Sequence, residues 1–527
     1  MKNVFAIALI SLLCITPLLA ENAPGKKDQP QREPTGVFDL QFNTVSPVSF
    51  PVTNDGTYGL DNEESKGAMI FPRGSENIYV FAGGFFFGTM KWVSDTSGNT
   101  DYKACVERSY STYNGRSEFT PGRISDGDDL IEDEITKYRV YFSTDFQPDG
   151  TPNNPEDGEN WPLWKQSQAN HFPDWLYAEN PANRNSAVYA GGPQYNSDED
   201  IFCTYKDTDL SRHNGGKVFA RRNGKPLRLQ VEQTIFTWNK DSERYNQVLI
   251  YYKLWNMSQD TLFDSYLGAM VDPDLGPDAS AANNDRATFY FEDSTLATSI
   301  CWTDEDRGEV GYGPMAITLV YTPAVDGNGY LRNDRRYYQR NEQCGLKSSR
   351  IGSGIGGEDD RLYNYMSSGK KDSKKAAWPQ SILSSAGPFT MLPGQHAEFG
   401  VLLTFETQLP IPGQAKKDRP QAFESIITDV RDFYTYFYGG MINSIANAPA
   451  DPAAGIEVWP NPATDRIRLR FAGAPGPRDA SIIDMHGREV ARVENYTDQT
   501  IDVSGLPAGM YMVVVPGNAQ SAKFIVE

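Results

Sequence analysis

Apolar and polar positions alternate with a period of two along most of this chain. Between Leu227 and Trp238, the residues Leu229, Val231, Gln233, Ile235 and Thr237 fall on one side, the pattern of a strand lying on a core. Val248–Trp255 and Leu262–Val271 are two more such runs, separated from their neighbours by the polar turns Asn239–Asn246 and Asn256–Asp260. Consecutive strands joined by short polar turns predict an antiparallel meander. Upstream, Ile78–Phe81 leads through Gly83-Gly84 into Phe85–Phe87, and Tyr138–Phe142 is a further β-branched and aromatic run. Downstream, Phe389–Met391 meets the turn pair Pro393-Gly394 before His396–Phe405 resumes as a strand.

One segment changes period. Phe423, Ile426, Ile427, Val430, Phe433, Tyr434 and Phe437 recur at spacings of three and four, a single apolar stripe on a helix. Pro420 suits a first turn and Gly439-Gly440 stops the helix, which is expected to pack on the β body. Residues 441–455 form a small-residue linker. Beyond it, Ile467, Leu469 and Phe471 alternate with Arg466, Arg468 and Arg470, a half-buried strand with a wet basic face. Ser481–Asp484 and Arg488–Val493 flank a turn at Met485-His486-Gly487, and Met510–Val515 and Ala522–Val526 close the unit. The pattern predicts an all-β chain: a β-sandwich main body over 38–440 with one closing amphipathic helix, then a small β-sandwich over 456–527. The body divides, if anywhere, near residue 215.

The N-terminus has a separate logic. A short basic start, Met1-Lys2, precedes an almost wholly apolar run from Val4 to Ala20, and a polar linker follows over 21–37. That order is a secretory signal peptide, with residues 1–20 removed. The run is short for a membrane span, and Leu13 stands before Cys14 where a lipidation signal requires a small residue. Net charge is −20, which argues against nucleic acid and anionic membranes as partners. Of the 5 Cys, removal of Cys14 leaves Cys105, Cys203, Cys301 and Cys344. None is spaced as CxxC. In an oxidising compartment they predict up to two disulfides of open connectivity.

The C-terminal unit carries a resemblance. Trp459-Pro460-Asn461-Pro462-Ala463-Thr464-Asp465, then Ile483–Val490 around Gly487, then Leu506-Pro507-Ala508-Gly509-Met510-Tyr511 and a Lys523–Val526 tail resemble the C-terminal sorting domain of type IX secretion. The resemblance implies an Ig-like sandwich in a Gram-negative bacterium of the Bacteroidota kind. It further implies a motif of Pro460, Asn461, Pro462, Gly487, Leu506, Gly509 and Tyr511 that engages the type IX secretion machinery. It implies passage through the periplasm to the outer-membrane surface or the medium, with attachment to surface lipopolysaccharide or release. In the body, Asp272-Pro273-Asp274-Leu275-Gly276 and Gly387–Gly394 resemble a group of large secreted proteins that bear the same sorting domain without an assigned activity. That second resemblance implies a β-rich exported body and no particular chemistry.

Candidate chemistry in the body is acidic. Asp272, Asp274, Asp278 and Asp285 fall in one turn-rich stretch, and Asp304 and Asp306 in a second, at the same end of the sheet if the intervening segment is a hairpin. Clustered carboxylates are the ligands that Ca2+ requires, so these residues are candidate Ca2+ ligands, weighed against the plain reading of a solvated acidic turn. Asp198, Glu199, Asp200, Asp207 and Asp209 form another acidic cluster around Cys203, explained equally by strand-edge charge. Trp161, Trp164 and Trp175 lie in a long loop, where they either contact a glycan or pin the loop to the sheet. The 4 His show no metal-ligand spacing, and no Ser sits in a GxSxG elbow. The expectation is an exported surface or secreted protein of structural, adhesive or glycan-binding role; the alternative is a secreted polysaccharide hydrolase with a structural calcium site.

Overall fold

The computed structural model describes residues 38–94, 98, 100–110, 117–128, 138–145, 197–213, 224–277, 285–303, 313–333, 338–353, 355–373, 380–407, 422–438, 456–460, 463–471, 478–483, 489–497, 499–514 and 521–526. The expected signal peptide, both linkers, Trp161, Trp164, Trp175, Asp278, Asp304, Asp306, Asn461, Pro462 and Gly487 lie outside the described residues.

The body is two antiparallel sheets face to face. Its main elements are β1 (Ile78–Ser94), β2 (Thr100–Arg108), β3 (Glu199–Lys206), β4 (Leu229–Thr237), β5 (Gln247–Asn256), β6 (Leu262–Gly276), β7 (Asp285–Phe289), β8 (Thr298–Thr303), β9 (Met315–Tyr321), β10 (Leu346–Gly352), helix α1 (Asp359–Ser367), β11 (Ser381–Met391), β12 (His396–Phe405) and helix α2 (Ala422–Tyr436). The nine-stranded sheet runs β7-β8-β9-β12-β5-β4-β3, with the short strands Thr120–Pro121 and Tyr141–Phe142 on β3. The six-stranded sheet runs β10-β11-β6-β1, with β2 and the short strand Met69–Ile70 also on β1. Alternation decides the faces. Val231, Ile235, Val248, Ile250, Tyr252, Leu254, Phe399 and Val401 point from the large sheet into the shared core, where they meet Phe85, Phe87, Leu267, Ala269 and Ile382 of the other. That core draws on residues before and after position 215.

The expected meander holds only in part. β4 and β5 pair in register from Leu229↔Asn256 to Thr237↔Val248. The next strand, β6, leaves for the other sheet, where it pairs with β1 and β11. The Asn256–Asp260 turn is therefore a crossover between layers: the Asn256 side chain donates to the Asp260 and Met391 carbonyls and ties the two sheets at that corner.

Each outer face is capped by a helix. The apolar stripe of α2, from Phe423 to Phe437, covers Leu249, Ile300, Trp302, Ala316 and Leu402 on the large sheet. Across the molecule α1, which the apolar pattern does not announce, places Leu362 and Met366 on Phe86, Tyr266, Met270 and Leu383. It can approach because Gly88 and Gly268 leave room: a Cβ on Gly88 would lie 2.4 Å from Met366 Cε.

The expected disulfides do not form. Cys105, Cys203, Cys301 and Cys344 are free thiols. Cys105, Cys203 and Cys301 occupy β2, β3 and β8 as small core side chains, and Cys344 packs against the same core. Burial pushes the Cys105 and Cys344 thiols up to about 12, which disfavours the thiolate form.

The C-terminal unit has its own two sheets and core. β13 (Ile456–Trp459), β14 (Arg466–Phe471) and β17 (Ile501–Asp502) form one; β15 (Arg478–Ile483), β16 (Glu489–Tyr496), β18 (Gly509–Val514) and β19 (Ser521–Val526) form the other in the order β16-β15-β18-β19. Ile467 and Leu469 are buried with Tyr496, Val513 and Phe524, while Arg466 and Arg468 face solvent as the alternation predicts.

Candidate functional site

In the C-terminal unit the described part of the expected motif includes a clasp. Leu506 packs against the unit's core, and the turn after it brings Tyr511 back so that its hydroxyl donates to the Pro507 carbonyl at 2.7 Å. The Tyr511 ring stacks on Phe524 at 5.7 Å, which fixes the turn to the last strand. Gly509 opens β18 on an exposed surface and Pro460 is exposed at the unit's entry. Ala463 N donates to the Ile525 carbonyl, which joins the start of the unit to its end. The motif residues present are thus split between the core and the surface.

Three of the expected acidic ligands are described. β7 and β8 form the anticipated hairpin, with Asp285 opposite Thr303. Asp272 and Asp274 lie near the end of β6, and Asp285 accepts the Leu275 N–H at 3.1 Å. Burial pushes the Asp285 carboxyl well above its usual range against that hydrogen bond, and the charges of Asp274 and Asp272 push the same way. Burial also lifts Asp272 to about 6, while hydrogen bonds from Ser381 and Tyr110 oppose the rise. Among the described residues, no group of three or more His, Cys, Asp or Glu side chains is arranged to hold a metal ion. Members of the second acidic cluster accept backbone N–H groups. Glu199 accepts from Thr44 N and Val45 N, Asp207 from Leu227 N and Leu229 N, Asp209 from Ser211 N, and Asp198 from Asn239 N.

The outer face of the large sheet beside α2 carries a polar network that the sequence pattern does not single out. Glu232, Lys253 and Glu398 stand side by side on β4, β5 and β12. Burial opposes the charge on Glu398, but His396, Lys253 and the Tyr251 hydroxyl hold its carboxyl below the ordinary range. Tyr251 donates to it at 2.8 Å, His396 lies 3.4 Å away, and the His396 ring packs 4.6 Å from Trp255. Glu232 and Lys253 are almost wholly buried, so the row places a lysine between two carboxyls within the fold, with Glu398 held by Tyr251 and His396.

A different surface is open. Where the β1–β2 hairpin runs out beyond α1, Trp92 and Tyr102 are direct cross-strand partners with ring centroids 5.0 Å apart. Trp92 is 64% exposed and Tyr102 36%, among the few large apolar side chains left in solvent. Period two puts Trp92 on the face of Gly88, where α1 sits, and Tyr363 of α1 stacks edge-on against Tyr266 at 5.5 Å. These rings, Trp92 and Tyr102 in contact and Tyr363 beside Gly88, share the outer face of the six-stranded sheet as an aromatic platform. Beside it, β6 bulges: its pairing with β1 slips between Phe263↔Met90 and Tyr266↔Gly88. Asp264 occupies the bulge at φ +44°, exposed, with its carbonyl accepting the Tyr363 hydroxyl at 2.8 Å.

A buried ionic knot fixes this region. Lys225 Nζ meets Glu118 at 3.1 Å, Asp359 at 3.4 Å and Glu107 at 3.8 Å. His213 lies 3.1 Å from Glu107; burial would depress it, but Glu107 and Glu118 raise it to about 9. Asp359, in the first turn of α1, accepts the Val106 N–H of β2. The knot therefore anchors α1 to the edge of the hairpin and, through α1, sets the position of Tyr363.

Residues 457–527 match the family described as the secretion system C-terminal sorting domain. The chain thus ends in the sorting domain of type IX secretion, which implies engagement of that machinery and delivery to the outer-membrane surface or the medium. None of the curated proteins matches the chain. Among solved structures it is similar to a polysaccharide lyase, at 10% identity and a TM-score of 0.23, over 94% of this chain and 47% of that one. The chain spans about half the length of that lyase, and at this TM-score the likeness bears on neither fold nor activity.

Proposed function

We propose that the body of this type IX-exported protein is a non-enzymatic, glycan-binding sandwich that acts at the cell surface or in the medium, with the Trp92–Tyr102–Tyr363 platform as its contact. The observation that carries this reading is the solvent-exposed Trp92 ring, paired with Tyr102 and bordered by hydrogen-bonding groups. A soluble protein gains nothing from a bare indole in water, and exposed apolar patches rimmed by polar groups mark binding surfaces. Pyranose rings have apolar C–H faces that stack on aromatic rings and hydroxyls that reach polar neighbours, which matches a Trp and Tyr platform. A hydrolase would need an accessible acid pair. In the described body Glu232 and Glu398 are separated by Lys253 on the intervening strand, Glu232 is fully buried, and Glu398 is held by Tyr251 and His396.

The test is a panel of printed neutral and acidic glycans probed with the secreted chain, with product analysis on each bound glycan. Binding without cleavage is expected, and Trp92→Ala is expected to weaken the best binder roughly tenfold. Release of shorter products would move the protein to the hydrolase class, and unchanged binding by Trp92→Ala would remove the platform from the account.

A further inference from the structure

We propose that Asp264 is the specificity-determining residue of the ring platform: its carboxylate accepts hydrogen bonds from sugar hydroxyls and turns away glycans that carry uronate or sulfate groups. The inference rests on the platform being the glycan contact, and it adds the ligand class, a neutral glycan.

The argument starts from the backbone. A non-glycine residue at φ +44° sits in the left-handed region, which disfavours side chains with a Cβ. Such strain persists where the surroundings over-determine it. Here they do so from beneath: the Ser265 hydroxyl donates to Thr89 Oγ1 at 3.0 Å, and Thr89 Oγ1 donates to the Phe263 carbonyl at 2.8 Å. Both Thr89 and Ser265 are fully buried. The bulge is therefore clamped to β1, and the extra residue it creates is the one that turns outward. Bulges commonly re-aim a side chain beside a site. In this one a glycine would meet the backbone geometry with less strain, yet the position holds a carboxylate.

The surroundings fit a neutral ligand. Nearby lysines are already paired: Lys91 with Asp260 at 2.7 Å, and Lys103 with Asp101 at 3.7 Å. No such ion pair is found for Asp264 among the described residues. Its charge nevertheless acts on the platform. Burial raises the Tyr102 hydroxyl and the Asp264 charge raises it further; burial likewise raises Tyr363, followed by Tyr266 and Asp264. An anionic sugar stacked on Trp92 would meet that same field, whereas a neutral sugar offers hydroxyl donors to an acceptor-only carboxylate.

The experiment is titration calorimetry of the secreted chain with two probes at low salt: the best-binding neutral oligosaccharide of the glycan panel and hexagalacturonate. Wild type is expected to prefer the neutral probe by at least roughly tenfold. Asp264→Asn should weaken the neutral probe a few-fold and strengthen hexagalacturonate by about tenfold, so that the preference narrows or inverts. Asp264→Gly separates function from structure: it should raise the melting temperature, because the strain is relieved, and still lose neutral-glycan affinity. An unchanged preference in Asp264→Asn, or equal binding of both probes by wild type, would overturn the role of Asp264. If Trp92→Ala still weakens binding in that case, the platform stands and only the specificity claim falls. If Trp92→Ala changes nothing, both fall.

Discussion

Asp285 shows how little a residue's charge says until its surroundings are known. In the chain it belongs to a run of acids that calls for a counter-ion. In the fold it is sealed at the start of β7, holding the Leu275 amide, with Asp272 and Asp274 nearby. Close carboxyls relieve their repulsion by a cation or by protonation. Without a cation, the burial that raises Asp285 and Asp272 makes protonation the route. A group whose folded pKa is raised contributes stability that is fully present below its unfolded pKa and is lost as pH rises through the folded one. For Asp272 that window closes near 6. For Asp272 stability should therefore fall as pH rises from about 4 to about 6, and Asp285 contributes a loss of the same sign. Asp285→Asn, which keeps the acceptor for Leu275 and cannot ionise, should raise the melting temperature by a few degrees at about pH 8 and leave it nearly unchanged at about pH 4. Melting curves at the two pH values check this. The calcium reading makes the opposite forecast. In that case millimolar Ca2+ stabilises wild type against chelator, by about 1–2 kcal/mol for a weak extracellular site, and Asp285→Asn removes the effect.

Among the elements, α1 is the one on which the platform depends. Its grip consists of Leu362 and Met366 on the sheet and Asp359 on the β2 edge. Met366→Ala should cost about 2–5 kcal/mol of local stability, the usual penalty for truncating a buried methionine, and speed amide exchange in residues 359–367. It should also weaken glycan binding, since Tyr363 travels with the helix. Wild-type exchange rates in α1 would show that the helix is held by something other than Met366. The contrast between the helices explains what was legible. α2 announces itself through an apolar stripe sustained over four turns, whereas α1 offers only Leu362 and Met366 at i, i+4 among Asp, Arg, Asn, Tyr and Ser. Two apolar residues in a polar stretch read equally well as a loop. The strands were legible because alternation is local. The crossover at Asn256–Asp260 was not, because a turn between sheets and a hairpin turn share a composition. The platform was hidden for a related reason: Trp92 and Tyr102 look like any strand aromatics, and only the length by which β1 and β2 overrun α1 leaves them in water.

At the scale of the whole molecule, the body and the sorting domain are separate folding problems. Among the described residues, the domain's core, from Ala463 through Ile482 to Val526, contains no body residue, and the three body cores contain none from the domain. The two meet at a small cluster where Leu392 packs with Ile483 and Met512. So little shared apolar surface contributes little to either core. Deleting residues 456–527 should therefore leave a body that folds, melts within a few degrees of the full chain and keeps its glycan affinity, because Trp92, Tyr102, Asp264 and α1 all lie in the body. What it should lose is its destination. In the native host the truncated protein should accumulate in the periplasm, while the full chain reaches the surface or medium. A milder change, Tyr511→Ala, removes the hydroxyl that closes the Leu506–Tyr511 turn and the stack on Phe524, and should lower export without touching glycan binding. Fractionation of cells with antibody detection reads both. Normal surface levels of the truncated chain would mean that the body carries its own export signal. Retention accompanied by an unfolded body would mean that the sorting domain also supports the fold, and would contradict the separation of their cores.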